Sequence, residues 1–344
     1  MLTVIFGAGA SYDSDSSYPP GHSGDESARL PLANQLFDDR PSFSSALGEF
    51  DQCHGIVPYL RTRVGNASIE QVLENLQGEA QDDPERHKQL AAVRFYLHLM
   101  LWNCERHWKE VTKNITSNYR TLLDQIRQSR YVYHRVCLVT FNYDTLLDSE
   151  FRSVGKQIQT MSDYVSDENY KLIKVHGSIN WAREVRTPLD NLASGNTWQV
   201  GRELIDRADS LDISENYQIV TGFPIGLLTE PKRIPVFPAL AIPVQKKQAF
   251  ECPPDHLKQL RECIAQTTKI LVIGWRGMES HFVELLREIP SGTPGLVVAG
   301  GKADAEEVVD RLSRDVMNAN WSCTEGGFTD FVVTRGADEF LRRS

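Results

Sequence analysis

Five short runs along the chain are almost continuously apolar: Leu2–Phe6 (LTVIF), Val136–Phe141 (VCLVTF), Lys171–Val175 (KLIKV), Lys269–Ile273 (KILVI) and Gly295–Ala299 (GLVVA). Alternation of apolar and polar residues marks a strand with one wet face. Short continuous runs mark strands covered on both faces, as in a parallel sheet. Stretches with helical character lie between them. Ser68–Ala80 opens on Ser68 with Gln71 three positions on, the pattern of a capping box. Leu90–Trp102 is apolar almost all round except for Arg94 and His98, which share one face at i,i+4 and read as packing or interface residues rather than catalysts. Asp144–Arg152, Asp255–Thr267, Met278–Glu288 and Asp304–Asp315 complete the helical set. Strands alternating with helices predict an α/β class, with a doubly wound parallel sheet and helices on both faces.

Two regions break the alternation. Residues 59–131 contain no strand pattern and read as a helical insertion. Residues 183–254 are weakly patterned and broken by Pro224, Pro231, Pro235, Pro238 and Pro243, so they read as an irregular excursion, part small sheet or loop cover.

Charge and composition narrow the function classes. The 344 residues carry 37 Lys+Arg against 46 Asp+Glu, a formal charge of −9, which argues against a surface that coats nucleic acid or binds it sequence-specifically. Hydrophobic residues at 41% and charged residues at 24% are globular values. No apolar run approaches the roughly 18–20 residues needed to cross a bilayer. The opening MLTVIFGAGAS has no basic segment and turns glycine-rich at once, unlike a signal peptide, so a cytoplasmic protein without membrane attachment is expected. The six cysteines lie at least eleven positions apart, which offers neither a CxxC pair nor a zinc ribbon, and they read as reduced and buried. No metal site is expected.

In open α/β sheets, ligands bind just past the carboxyl ends of the strands. The first strand is followed by Gly7-Ala8-Gly9-Ala10-Ser11, the second by Asn142-Tyr143-Asp144, the third by His176-Gly177-Ser178 and the fourth by Gly274-Trp275. Small, polar and titratable residues at four strand ends on one edge point to a nucleotide-sized site. Gly7-Ala8-Gly9 permits a tight turn whose N–H groups reach phosphate oxygens. It departs from the dinucleotide fingerprint, because no third glycine follows and no helix is expected to begin at once. Tyr12–Arg29, polar and rich in proline and glycine, reads as a mobile loop able to close over a ligand. Asn142 can cap the helix near Asp144 or hold a ribose hydroxyl or a water. His176 ends a buried strand and opens a glycine turn, where an imidazole can act as a general base.

Taken together, GAGAS at 7–11, TFNYD at 140–144, KVHGS at 174–178 and LVIGW at 271–275 resemble the sirtuin-like superfamily in order and context. LPLANQLFD (30–38), PALAIP (238–243) and GGFTDF (326–331) make the chain more similar to the sirtuin-like domains of bacterial anti-phage defence systems. The resemblance implies a single catalytic domain over 1–344, a Rossmann-like NAD-binding sheet with an inserted helical module. It implies that Gly7, Ala8, Gly9, Ala10 and Ser11 form the pyrophosphate-and-ribose loop, and that Asn142 and Asp144 hold the nicotinamide ribose and nicotinamide pocket, Asp144 either by fixing the Asn142 loop or by contacting the carboxamide. His176 matches the catalytic histidine, with Gly177 and Ser178 beside it, and Gly274 and Trp275 match the turn on the adenosine side. Phe141 stands where protein deacylases usually carry glutamine, and the four-cysteine zinc module of deacylases is absent, so no zinc is implied. The acceptor implied is water: an NAD+ glycohydrolase that depletes NAD+ during infection. Control is then expected from a homo-oligomer or from a partner such as a HerA-type ATPase. The alternatives are a module that senses NAD or ADP-ribose without cleaving it, and an NAD-dependent deacylase or ADP-ribosyltransferase.

Overall fold

The computed structural model spans the chain, and its structure is described for all residues except 22–27, 58–59, 61–72, 77, 79–82, 114, 130–134, 191–195, 221–233, 243–249 and 343–344. Among the described residues the strands are, in chain order, β1 (Leu2–Phe6), β2 (Val136–Thr140), β3 (Tyr170–Lys174), β4 (Gly177–Val185), β5 (Ile213–Ile219), β6 (Val236–Leu240), β7 (Lys269–Ile273), β8 (Thr293–Val298) and β9 (Ala319–Thr324). Six of them form one sheet in the order β3-β2-β1-β7-β8-β9, every pairing parallel. This is the doubly wound, Rossmann-like order. The strand order reverses between β1 and β7, the position at whose carboxyl ends open α/β sheets bind ligands.

The continuous apolar runs are buried on both faces, as the pattern requires. One face, carrying Leu2, Val4, Phe6, Leu138 and Leu172, packs under the helices Asn118–Gln128, Gly327–Val333 and Gly336–Arg342. The other, carrying Ile5, Val139, Ile173, Val272 and Val297, packs under Pro254–Ala265, Ser280–Leu286 and Lys302–Asp315. β9 has no apolar run in the sequence. It is an edge strand with one neighbour, and its alternating exposure removes the signature of a doubly covered strand.

The stretch 59–131 is helical wherever it is described in regular structure, but its helices serve two cores. Asn118–Gln128 covers the large sheet, whereas the long helix Pro84–Val111 joins a separate core with the helix Thr197–Asp206 and the small sheet. The expected helix Ser68–Ala80 lies mostly outside the described residues; 73–76 are helical. The described part of the excursion 183–254 contains the small sheet that was one of its two readings. β4, β5 and β6 form an antiparallel sheet in the order β5-β4-β6. Pro238 sits within β6, which is tolerated because that strand is at an edge.

His98 behaves as the sequence suggested. It is fully buried, and its Nε2 lies 2.6 Å from the Ile179 carbonyl, where it must donate because a carbonyl only accepts. Burial lowers its pKa to about 4. The folded pKa thus lies below the unfolded value, so this stabilisation is complete above about pH 6.5 and is lost as pH falls towards 4. We expect His98→Gln to flatten the decline in unfolding free energy between pH 7 and 4.5 by up to about 3 kcal/mol in urea titrations. An unchanged decline would assign the acid sensitivity elsewhere.

Among the described residues, Cys53, Cys104, Cys137, Cys252 and Cys263 are free and buried, whereas Cys323 is exposed on the edge strand, contrary to the expectation for all six. No described helix is long and apolar enough to cross a membrane.

Candidate functional site

At the strand-order reversal, the loops after β1 and β7 are in backbone contact. A Cβ added to Gly7 would lie 2.5 Å from the Gly274 carbonyl oxygen, and one on Gly9 would lie 2.9 Å from Gly274 Cα. Gly274 has φ +62°, and a Cβ there would lie 2.4 Å from Ala10 N. These glycines let two strand ends approach to main-chain distance. The N–H of Gly7 donates to Ile273 O at 3.0 Å and that of Gly9 to Gly274 O at 3.1 Å. Both groups, expected from sequence to face phosphate, hold the loops together here. The five-residue helix Ala8–Tyr12 does begin at once, contrary to expectation, and Ala10 N closes on Gly7 O.

The expected mobile loop Tyr12–Arg29 falls partly outside the described residues, at 22–27, and its described part packs onto the fold. Asp13, Ser14 and Asp15 are buried, and the buried Arg29 guanidinium donates to the carbonyls of Tyr12 and Pro19 while lying over the Trp108 ring. Trp108 Nε1 donates to Ser14 Oγ. Asp13 accepts from the backbone N and hydroxyl of Thr329, so GGFTDF (326–331) anchors the loop from the far end of the chain. Burial raises the Asp13 pKa, against these hydrogen bonds. LPLANQLFD packs on the long helix, with Phe37 stacked on Tyr96.

Beneath the glycine loop, Ser11, Asn142, Asp144 and Tyr119 form a buried hydrogen-bonded group. Asn142 Nδ2 donates to Gly7 O at 2.9 Å and to Ser11 Oγ at 2.8 Å. Its orientation is set by chemistry, because the Gly7 carbonyl can only accept. Ser11 Oγ donates to Asp144 Oδ2 at 2.6 Å and meets Tyr119 OH at 2.9 Å. The other Asp144 oxygen accepts from Leu146 N at the start of the following helix. Burial raises the Asp144 pKa, opposed by nearby Lys174. Ser11 and Asp144 thus brace the loop. Asn142 is braced through Nδ2, while its Oδ1 makes no hydrogen bond among the described residues. Tyr119 was not singled out from sequence. A tyrosine on an amphipathic helix carries no local mark of what its hydroxyl will reach.

His176 follows β3. Its ring meets the edge of Phe141 at 4.9 Å and lies against Tyr143 at 6.0 Å, while Phe141 stacks on Trp275 at 5.0 Å. Trp275 Nε1 donates to Glu279. Phe141 therefore links the histidine to the β7 loop. Gly177 turns the chain into β4 with φ +77°, and Ser178 Oγ and Ile179 N both donate to Tyr143 O. PALAIP supplies the wall: His176 O accepts from Ala241 N, and Tyr143 OH donates to Ala241 O. Lys174, missed from sequence, is fully buried, donates to Asp144 O and pairs with Asp148 at 2.8 Å, binding the β2 and β3 strand ends together.

The structure thus gathers all of the selected residues at one edge of the sheet, in two connected groups: the braced glycine loops with Asn142, and the aromatic-walled His176. A shallow groove lined by Arg335, Asp338, Glu339 and Arg342 lies near the opposite edge, where Lys269 at the start of β7 donates to Phe340 O. Among the described residues, no group of three or more His, Cys, Asp or Glu is placed to hold a metal ion. The chain matches no protein-family model, and no curated protein matches it.

Proposed function

We propose that this chain is an NAD+ glycohydrolase that cleaves the nicotinamide–ribose bond and so depletes NAD+ in anti-phage defence. The observation that carries the reading is the meeting of Asn142 and His176 with the Gly7–Ser11 and Gly274–Trp275 loops at the strand-order reversal, where nucleotides bind in such sheets. The motif resemblance supplies the substrate.

In the reaction, the glycosidic electron pair passes to the pyridinium nitrogen, and nicotinamide leaves uncharged. The ribosyl carbon, cationic in character, is captured by water, whose proton must be taken up. His176 is the base for that proton, and Asn142 Oδ1 accepts from a ribose hydroxyl or the water. Phe141, Tyr143 and Trp275 supply an apolar wall on which a nicotinamide ring can stack. An unregulated activity of this kind would poison its host, so we place its control in a homo-oligomer or a HerA-type ATPase partner. The helical insertion 59–131 is the candidate interface.

The test is nicotinamide release from NAD+ by the purified protein, alone and with that ATPase. Release that depends on the partner is the expected result. Tight ADP-ribose binding without turnover in either condition would instead favour a sensing module. Deacetylation of an acetylated peptide that requires His176 would favour a deacylase.

A further inference from the structure

Arg183 on β4 is paired with Tyr217 on β5 and with Phe237 on β6, so these side chains stand in one row on one face of the small sheet. The row carries two guanidinium groups. Arg183 lies over the Tyr217 ring at 5.4 Å, and Arg94, from the long helix, lies over the Phe237 ring at 5.4 Å. Glu251 joins them, accepting from Tyr217 OH at 3.1 Å and pairing with Arg183 at 3.6 Å. Its backbone N donates to Val175 O, and a Cβ on Gly177 would lie 3.2 Å from its Cγ. The cluster therefore abuts the His176–Gly177 turn.

Its charges do not balance, since two cations face one carboxylate. Arg183 Nε donates to Ser214 O at 2.6 Å, and its Nη1 lies 3.6 Å from Glu251, an ion pair beyond hydrogen-bond distance. Arg94 makes no hydrogen bond or ion pair among the described residues, and its Nε is buried without a partner. A partly buried guanidinium with unused donors is unfavourable unless an acceptor arrives from outside the chain. The way in is open, because the Arg183 and Glu251 side chains are 25% and 17% exposed. A planar fork of N–H donors on an aromatic platform suits a phosphate-type oxyanion.

We propose that Arg94, with Arg183 alongside it, binds a phosphate-type oxyanion of a ligand seated beside His176. The glycohydrolase reading enters at one point only: if it holds, the oxyanion is the substrate's own pyrophosphate, and otherwise it belongs to a separate phosphorylated ligand. Arg94, which read from sequence as a packing or interface residue like His98, is then a ligand-binding residue of the site.

The test titrates inorganic pyrophosphate and ADP-ribose into the full-length protein by calorimetry, beside NAD+ turnover assays. Both probes are expected to bind the wild type, and Arg94→Met to weaken both by about tenfold or more. The ligand-free variant is expected to melt at or above wild type, having lost an unpaired charge. Failure of both probes to bind wild type, or binding by Arg94→Met within about twofold, overturns the proposal. If Arg94→Met does not fold, Arg94→Lys decides. It keeps the charge but not the fork, so a loss of about threefold supports the proposal and unchanged affinity overturns it. Competition between the probes, both weakened by Arg94→Met, assigns the oxyanion to the substrate. Simultaneous binding in which Arg94→Met weakens pyrophosphate alone assigns it to a second ligand, and simultaneous binding with pyrophosphate unaffected overturns the proposal. Arg94-dependent binding without turnover keeps this proposal and removes the glycohydrolase reading. Turnover without Arg94-dependent binding does the reverse.

Discussion

Replacing His176 by glutamine is expected to cut nicotinamide release from NAD+ by about 10²–10⁴-fold, the usual range for removing a general base. The melting temperature should stay near that of wild type. Glutamine fills comparable space between Phe141 and Tyr143 but cannot take up a proton near neutral pH. ADP-ribose affinity should change little, because the imidazole is assigned to water and the ribose hydroxyls rather than to the phosphates. Turnover within about threefold of wild type would remove His176 from the chemistry. Asn142→Ala needs a stability measurement beside the assay, since its Nδ2 also satisfies Gly7 O and Ser11 Oγ. Its loss therefore combines catalysis with a loosened glycine loop, and only the kcat of the folded fraction reports the former.

Gly177→Ala is expected to destabilise the protein by about 4 kcal/mol or more, a sum of left-handed backbone strain and overpacking. The added Cβ would lie 2.0 Å from the Ala239 carbonyl oxygen, on a backbone with φ +77°. The strand cannot yield easily, because Ala239 is within β6 and Ala241, two residues on, accepts from Tyr143 OH through its carbonyl and donates its N–H to His176 O. Gly292→Ala is the matched control: its φ is +80° with nothing within 4 Å, so strain alone applies, about 1 kcal/mol. Chemical denaturation of the two variants separates the steric part from the conformational part. Equal losses would mean that the turn relaxes away from β6.

Much of the site was legible because strand ends in a parallel sheet are local in sequence. Each buried run announces where it stops, and the residue after it must lie at the sheet edge. That is why Gly7, Asn142, His176 and Gly274 could be named, and why they meet in space. Their detailed tasks were less legible. Gly7 and Gly9 were read as phosphate donors, yet their N–H groups bridge to the β7 loop, a partner more than 260 residues away in the chain. Ser11 was read as a ligand contact, yet its hydroxyl donates to Asp144 and meets Tyr119. Asp144, read either as fixing the Asn142 loop or as contacting the carboxamide, accepts from Ser11 and from Leu146 N. Within a chain of formal charge −9, Arg94 and Arg183 place local positive charge near the His176–Gly177 turn.

What the sequence determined by itself is the α/β class, the strands buried on both faces and the set of residues at their ends. Those follow from hydrophobic continuity and from turn chemistry, which act over a few residues. The tertiary structure alone decided the sheet order, the edge strand β9, the strand bounds and pairing of the small sheet within 183–254, and which polar groups find one another. Hydrogen bonds and charge pairs between distant segments depend on how the layers stack. No local pattern of residues carries that information.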